Sequence, residues 1–342
     1  MFCPSVSLII PVYNEIGTIR GCIESVFVQD YANILEILIA EGESDDGTRF
    51  VLEDYAQRVP LITILNNKKH VQTVGLNLCL RIARGEVIIR LDAHATYAPD
   101  YVCQCILALE KSGAACVGGG VNIVRGNGYW PTLFGLVQEH PFGTGVASFR
   151  RSSYEGYADT VWPGAYRREV FEKIGLFREH LYRTEDLDLH ARLRMAGFKI
   201  WQTPLIRPYY LPRSTWSELA QQYFGNGEQV IETLMINRPA IAWRHLVPFS
   251  WITLLGLLII LTIFIPSLGF LLYAYLGTYL LACLVASGRI ALKNGLRYLW
   301  PAPFVFLLIH LSYGVGSWWG VLCILAYGQR QWIKGYLTLP RL

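Results

Sequence analysis

The sequence predicts an α/β fold: a doubly wound, mainly parallel sheet, followed by a helical transmembrane C-terminal region. Three observations carry this. Short apolar runs alternate with helical apolar patterns through the first part of the chain. No charged residue occurs from Leu246 to Ala286. No Asp or Glu occurs from Thr233 to Leu342, so all 26 acids precede Thr233. A chain of 342 residues has room for about two domains. The composition predicts them at 1–230 and 231–342.

The elements follow in order. Val6 to Val12 is an apolar strand that ends in Asn14-Glu15. Ile19, Cys22, Ile23, Val26 and Phe27 then recur on one helical face. A second strand, 36–40, runs into the acidic turn from Glu41 to Thr48, which holds Asp45 and Asp46. Phe50, Val51 and Tyr55 mark a helix, 61–65 a third strand, and 72–83 a further helix broken at Gly85. The fourth strand, Val87-Ile-Ile-Arg-Leu91, is continuous enough in apolar character to be buried in a parallel sheet, and it ends in Asp92-Ala93-His94.

Ligands of an open α/β sheet bind beyond the carboxyl ends of its strands. Glu15, the 41–46 turn and Asp92 all fall on that rim. The rim therefore looks suited to a nucleotide and a metal ion. An Asp oxygen with an imidazole two residues on suits Mn²⁺ or a similar ion better than Ca²⁺. The plainer alternative is that Asp92 caps the next turn and His94 is an ordinary loop histidine. Neither a GxGxxG after the first strand nor a GxxxxGK[ST] occurs, so dinucleotide and P-loop readings lose their support.

Further along, Gly118-Gly-Gly120 and His140-Pro-Phe-Gly-Thr-Gly145 read as loops. Thr184 can cap a helix whose apolar positions are Leu187, Leu189, Leu193 and Met195, stopped at Gly197. Glu185, Asp186 and Asp188 lie in its first turn, where acids also complement the helix dipole. Thr215 and Glu218 are spaced as a capping box before an apolar stripe of Trp216, Leu219, Ala220, Tyr223 and Phe224.

The apolar tail provides two spans, about 246–265 and 268–286, joined by a tight turn at Pro266-Ser267. A further uncharged run provides either a third span at about 303–327 or, given Gly314, Gly316 and Gly320, a re-entrant or tightly packed segment. Arg238, Arg244 and His245 precede the first span, and Arg289, Lys293 and Arg297 follow the second. The positive-inside rule puts both flanks, and the N-terminal domain, in the cytoplasm. A third span would put Arg330, Lys334 and Arg341 outside, which the same rule disfavours. No secretory signal is expected at the N-terminus. Eight cysteines without a CxxC pair fit a reduced cytosolic domain, and Cys103-x-Cys105 is a weak metal candidate. The first part has no dense basic stripe, so nucleic-acid binding is not indicated.

Several ordered motifs resemble those of family 2 glycosyltransferases with a GT-A fold, over about residues 5–230. They are Val6-Ser-Leu-Ile-Ile-Pro-Val-Tyr-Asn-Glu15, Glu41-Gly-Glu-Ser-Asp-Asp-Gly-Thr48, Leu91-Asp-Ala-His94, Trp162-Pro-Gly-Ala-Tyr-Arg-Arg-Glu-Val-Phe171 and Thr184-Glu-Asp-Leu-Asp-Leu189. The tail and the Asp-Ala-His variant are similar to the membrane-bound glucosyltransferases of succinoglycan-type exopolysaccharide assembly. The resemblance implies a nucleotide-sugar site at Pro11, Tyr13, Glu15, Glu41, Asp46, Asp92 and Ala93. Within it, Glu15 and Glu41 hold base and ribose, with Glu41 standing where the family usually has Asp. Asp92 and His94 match the DxD motif that meets the diphosphate through Mg²⁺ or Mn²⁺, with His94 replacing the second Asp. Asp186 matches the catalytic base, and Glu185 and Trp162 fall near the acceptor.

The expected activity is inverting transfer of one hexose from a UDP-sugar to a lipid-linked or saccharide acceptor, at the cytoplasmic face of the inner membrane. A processive synthase would carry QxxRW, whereas Gln222 is followed here by Tyr-Phe-Gly-Asn. A non-catalytic membrane scaffold that keeps the nucleotide-binding fold is the alternative from another class.

Overall fold

The computed structural model describes residues 3–124, 128–145 and 153–328. They divide into two compact units, the first of residues 3–122 and 153–211, the second of 123–124, 128–145 and 212–328. The chain opens with β1 (Val6–Val12), α1 (Ile19–Phe27), β2 (Ile34–Glu41), α2 (Thr48–Arg58), β3 (Ile62–Asn66), α3 (Gln72–Ile82) and β4 (Val87–Arg90). Next come β5 (Ala95–Tyr97), α4 (Tyr101–Ser112), β6 (Cys116–Gly118) and β7 (Asn122–Ile123). α5 (Tyr129–Glu139) and α6 (Pro141–Thr144) belong to the second unit. The first unit resumes with β8 (Gly156–Tyr157), β9 (Gly164–Arg167), α7 (Glu169–Ile174), α8 (Glu185–Met195), β10 (Ile200–Gln202) and β11 (Pro208–Tyr210). α9 (Trp216–Ile236), α10 (Val247–Phe264), α11 (Gly269–Asn294) and α12 (Ala302–Tyr327) complete the second.

In the first unit an eight-stranded sheet runs β3-β2-β1-β4-β9-β6-β10-β8. β3, β2, β1 and β4 are mutually parallel, and β9 is antiparallel to both β4 and β6. The strand order reverses between β1 and β4, the switch point beyond whose carboxyl ends open α/β sheets place their ligands. Side chains alternate across β1: Val6, Leu8, Ile10 and Val12 enter the core shared with α1 and α4, while Ile9 enters the one lined by α3, α7 and α8. Gly85 is needed where it stands, because a Cβ there would collide with the backbone of Ser7. α4 escaped the sequence reading although it buries Val102, Cys105, Ile106 and Leu109. Cys103 and Cys105 point to different faces of it, which removes the metal candidate, and all eight cysteines are free thiols.

Composition alone put the boundary at 230/231; compactness puts it earlier, between Leu211 and Pro212, with α5 and α6 also in the second unit. The reason is close helix packing. Gly227 of α9 lies against the backbone of Tyr313, and Gly316 of α12 against that of Phe224, so neither position has room for a Cβ. The residues that suggested a re-entrant segment thus serve tight packing within one continuous helix, α12. The 140–145 stretch, expected to be loop, contains α6, whose N-cap is the His140 side chain accepting from the Phe142 N–H. The Nε2–H of His310 on α12 donates to the Phe142 carbonyl at 2.9 Å.

Three helical segments, Trp243–Phe264, Pro266–Asn294 and Ala302–Ala326, are long and apolar enough to cross a membrane. At 1.5 Å per residue, the 26 residues of α11 extend about 39 Å, more than the roughly 30 Å hydrocarbon core of a bilayer. Arg330, Lys334 and Arg341, which bore on the third span, lie outside the described residues.

Candidate active site

The site is built at the carboxyl rim of β1 and β4 and completed by the first turn of α8. The Leu91 N–H donates to the Ile9 carbonyl, the last rung that holds β4 to β1. The backbone then turns: the Asp92 N–H donates to the Tyr97 hydroxyl at 2.7 Å, which fixes where the Asp92 side chain emerges. Asp92 is 3% exposed. Its Oδ1 accepts from Arg90 Nε at 3.0 Å and its Oδ2 from Trp162 Nε1 at 2.8 Å. Burial raises the Asp92 pKa, but the charges of Arg90 and His94, with the bonds from Arg90 and Trp162, outweigh it and hold the group below the usual carboxylate range.

Arg90 is the residue the sequence reading passed over. It closes β4, its side chain is 2% exposed, and it meets three carboxylates: Asp92 at 3.0 Å, Glu185 at 3.0 Å and Asp186 at 2.6 Å. A signal was present, because an arginine inside the run Val-Ile-Ile-Arg-Leu cannot be buried without partners. Asp92 and Asp186, 94 positions apart in sequence, are thereby held by one guanidinium. Burial pushes the Asp186 carboxyl above the usual range, helped by Glu185 and Asp92 and opposed by Arg90. Its side chain keeps 17% exposure, so solvent reaches part of it.

The three acids of the first turn of α8 have separate surroundings. Asp188 is fully buried between Arg178 and Arg192, at 3.0 and 2.9 Å, a structural ion-pair cluster. Glu185 Oε1 forms an ion pair with Arg90 Nη2 at 3.0 Å, and its buried Oε2 has no hydrogen-bond partner. Thr184 holds the N-cap position, but its side chain makes no capping bond, contrary to expectation. Met195, expected on the apolar face, is exposed because that helical position faces away from the sheet. The capping box of Thr215 and Glu218 on α9 forms as the spacing indicates.

The acidic turn after β2 is tied together by its own side chains. Glu41 is fully buried; its oxygens accept from the N–H groups of Ser44 (2.7 Å) and Glu43 (3.1 Å), and Oε2 also from Arg49 Nη1 at 3.1 Å. Glu41 thus shapes the loop at the carboxyl end of β2. Asp46 likewise accepts from the Thr48 N–H and hydroxyl and from the Ile16 N–H. Those bonds overcome the effect of burial and lower its pKa. Tyr13, half-exposed, lies against His70 with ring centroids 5.4 Å apart, and Pro11 and Ala93 are buried beneath the rim.

His94 is partly exposed, with Nδ1 3.4 Å from Glu15 Oε1. The Thr18 hydroxyl donates to the other Glu15 oxygen at 2.6 Å. Tyr210 presents its ring to both His94 and Trp162 and backs the two motifs with one wall, a placement that no local pattern signals. Trp162 is itself positioned by glycines, since a Cβ on Gly118 would strike Val161 and the Pro163 carbonyl.

A GT-A-like sheet with acids gathered at the β1/β4 mouth is the framework of a glycosyltransferase. The chain belongs to glycosyl transferase family 2, whose sequence profile matches residues 7–175. Among its relatives is the succinoglycan biosynthesis protein ExoA of Rhizobium meliloti (strain 1021), 26% identical over 91% of this chain and 93% of that protein. Another is the putative glycosyltransferase EpsH of Bacillus subtilis (strain 168), 34% identical over 68% of this chain and 69% of that one. The fold is shared with the mannosyltransferase PcManGT of Pyrobaculum calidifontis, solved with GDP-Man and Mn²⁺, at a TM-score of 0.60 and 20% identity, over 92% of this chain and 87% of that one.

Proposed function

We propose that this glycosyltransferase moves a single hexose from a UDP-sugar to a lipid-linked or saccharide acceptor, with inversion, in the synthesis of a bacterial exopolysaccharide or cell-envelope polysaccharide. The observation that supports it most is the meeting of Asp92 and Asp186 on one guanidinium. An inverting displacement needs a leaving-group site and a base on opposite sides of the anomeric carbon. The acceptor oxygen bonds to that carbon, the bond from the carbon to the diphosphate oxygen breaks, and UDP leaves with the electron pair. Asp186 takes the hydroxyl proton; its raised pKa makes it a stronger base than an ordinary carboxylate. Tyr13, Glu15 and the loop shaped by Glu41 and Asp46 line the nucleotide end, and Trp162 keeps Asp92 aimed at the diphosphate.

Among the described residues no three His, Cys, Asp or Glu side chains converge to hold a metal by themselves. Asp92 and His94 nonetheless fit a divalent ion that takes most of its ligands from the diphosphate, the usual manner of Mg²⁺ and similar ions at phosphate sites. When bound there, Mg²⁺ or Mn²⁺ supplies Lewis-acid neutralisation of the leaving diphosphate. Excess EDTA should then stop transfer, and an unchanged rate in EDTA would remove the ion from the mechanism.

The likeness to a succinoglycan biosynthesis protein over nearly the whole chain supports the polysaccharide setting. The basic flanks of the spans support an inner-membrane protein with residues 1–230 in the cytoplasm and 231–342 as the membrane region. Membranes containing the protein, offered a panel of radiolabelled nucleotide sugars, should place label in the lipid or polysaccharide extract from one UDP-sugar. Label from none of them would end this reading.

A further inference from the structure

We infer that Arg90 is a positioning residue, one that ties the leaving-group end of the site to the base by giving each of its three guanidinium nitrogens to a different carboxylate. The inference rests on the proposed transfer reaction and deepens it. Nε takes Asp92, Nη1 takes Asp186 and Nη2 takes Glu185. The planar fork fixes the angles among these acceptors, which a lysine ammonium cannot do. Asp92 leaves β4 and Asp186 opens α8, two elements with no strand pairing between them. Arg90 spans the gap directly.

Stability alone does not account for such a cluster. A buried ion-pair network is often no more stable than apolar residues of the same volume. Here one cation faces three acids, and Glu185 Oε2 is left buried without a partner. The ion-pair partner of Glu185 among the described residues is Arg90, at 3.0 Å, so Glu185 serves to hold the guanidinium. Asp186 Oδ1 is likewise committed to Arg90, which leaves Oδ2 to receive the acceptor's proton. Behind α8, His190 is held by Thr160 at 2.8 Å and by the Tyr166 hydroxyl at 2.9 Å, so the helix that carries Asp186 is fixed from its other side as well. Arg90 thus sets the one remaining freedom, the direction of the carboxylate relative to the diphosphate site.

The test separates position from charge and from folding. Arg90→Lys keeps the charge and loses the fork. Its kcat should fall about 100-fold, the usual cost of misplacing a reacting group by about 1 Å, while the melting transition is retained and UDP still binds. In Arg90→Gly, guanidinium ion should restore transfer at least about 10-fold and methylammonium should not, because only the former reproduces the planar donor set. An Arg90→Lys enzyme with unchanged kcat overturns the inference. So does equal rescue by the two cations, which makes Arg90 a counter-charge only. Joint loss of UDP binding and of the folded melting transition in Arg90→Lys makes it a folding residue, which also overturns it. If the unaltered chain transfers no sugar, it is the catalytic reading that fails; if it transfers and Arg90→Lys matches it, only the role of Arg90 does.

Discussion

β1 and α10 are both strings of aliphatic residues, and the protein treats them oppositely. Every residue of β1 is buried, with Leu8 and Ile10 at 0% exposure. α10 has no buried residue, and Ile263 and Phe264 on it are 69% and 79% exposed. Similar hydropathy is therefore buried in one case and left bare in the other. β1 is covered by helices of its own chain; α10 is exposed along its length and is long and apolar enough to cross a bilayer. Charge shows the same contrast. In the first unit buried charges gather at the end of β4, each tied to a partner, whereas α10 carries no charged residue.

Matched substitutions sharpen the contrast. Ile9→Arg should cost the fold in detergent or membrane alike, because an unpaired charge in a packed core costs about 3–5 kcal/mol; a full chain with a normal melting transition would break the argument. Asp186→Asn should remove about 10²- to 10⁴-fold of the transfer rate while leaving the melting temperature equal or higher, as expected if the rim acids serve chemistry rather than packing. Leu257→Arg, near the middle of α10, should cost about 2.5–3.5 kcal/mol of membrane insertion, read as a shift from the membrane to the aggregated fraction, with folding of the first unit preserved.

The raised pKa of Asp186 gives a smaller, signed effect. The folded state holds its proton to higher pH than the unfolded state does, so this group's contribution to stability falls as pH rises from the ordinary carboxylate range to the raised value. Activity rises through the same window, because the base must be ionised. Asp186→Asn should flatten that stability slope, and a pH–melting profile unchanged by the substitution would assign the slope to another group. The smallest expected change is Trp162→Phe. Losing one N–H bond to Asp92 should weaken donor affinity by about 1 kcal/mol, read as a higher KM with kcat nearly constant.

Much of this was legible in the residues. The alternation of β1 through β4, the rim positions of Glu15 and Asp92, and the apolar tail follow from local periodicity, which a sequence displays directly. The family-type motifs also marked Asp186 as the candidate base. Arg90 was not picked out, since its importance depends on acids that arrive from α8. The bonds of Glu41 to its own loop and to Arg49 were not legible either, since they depend on the path of the backbone through the turn.

The sequence by itself determined strands β1 to β4, the helices between them and the uncharged apolar tail, because those follow from side-chain pattern and composition. Only the tertiary structure decided that one guanidinium holds Asp92 and Asp186 together, and that α9 packs with α12 through glycines rather than ending the catalytic part. Both depend on distances between residues far apart along the chain, which local pattern does not encode.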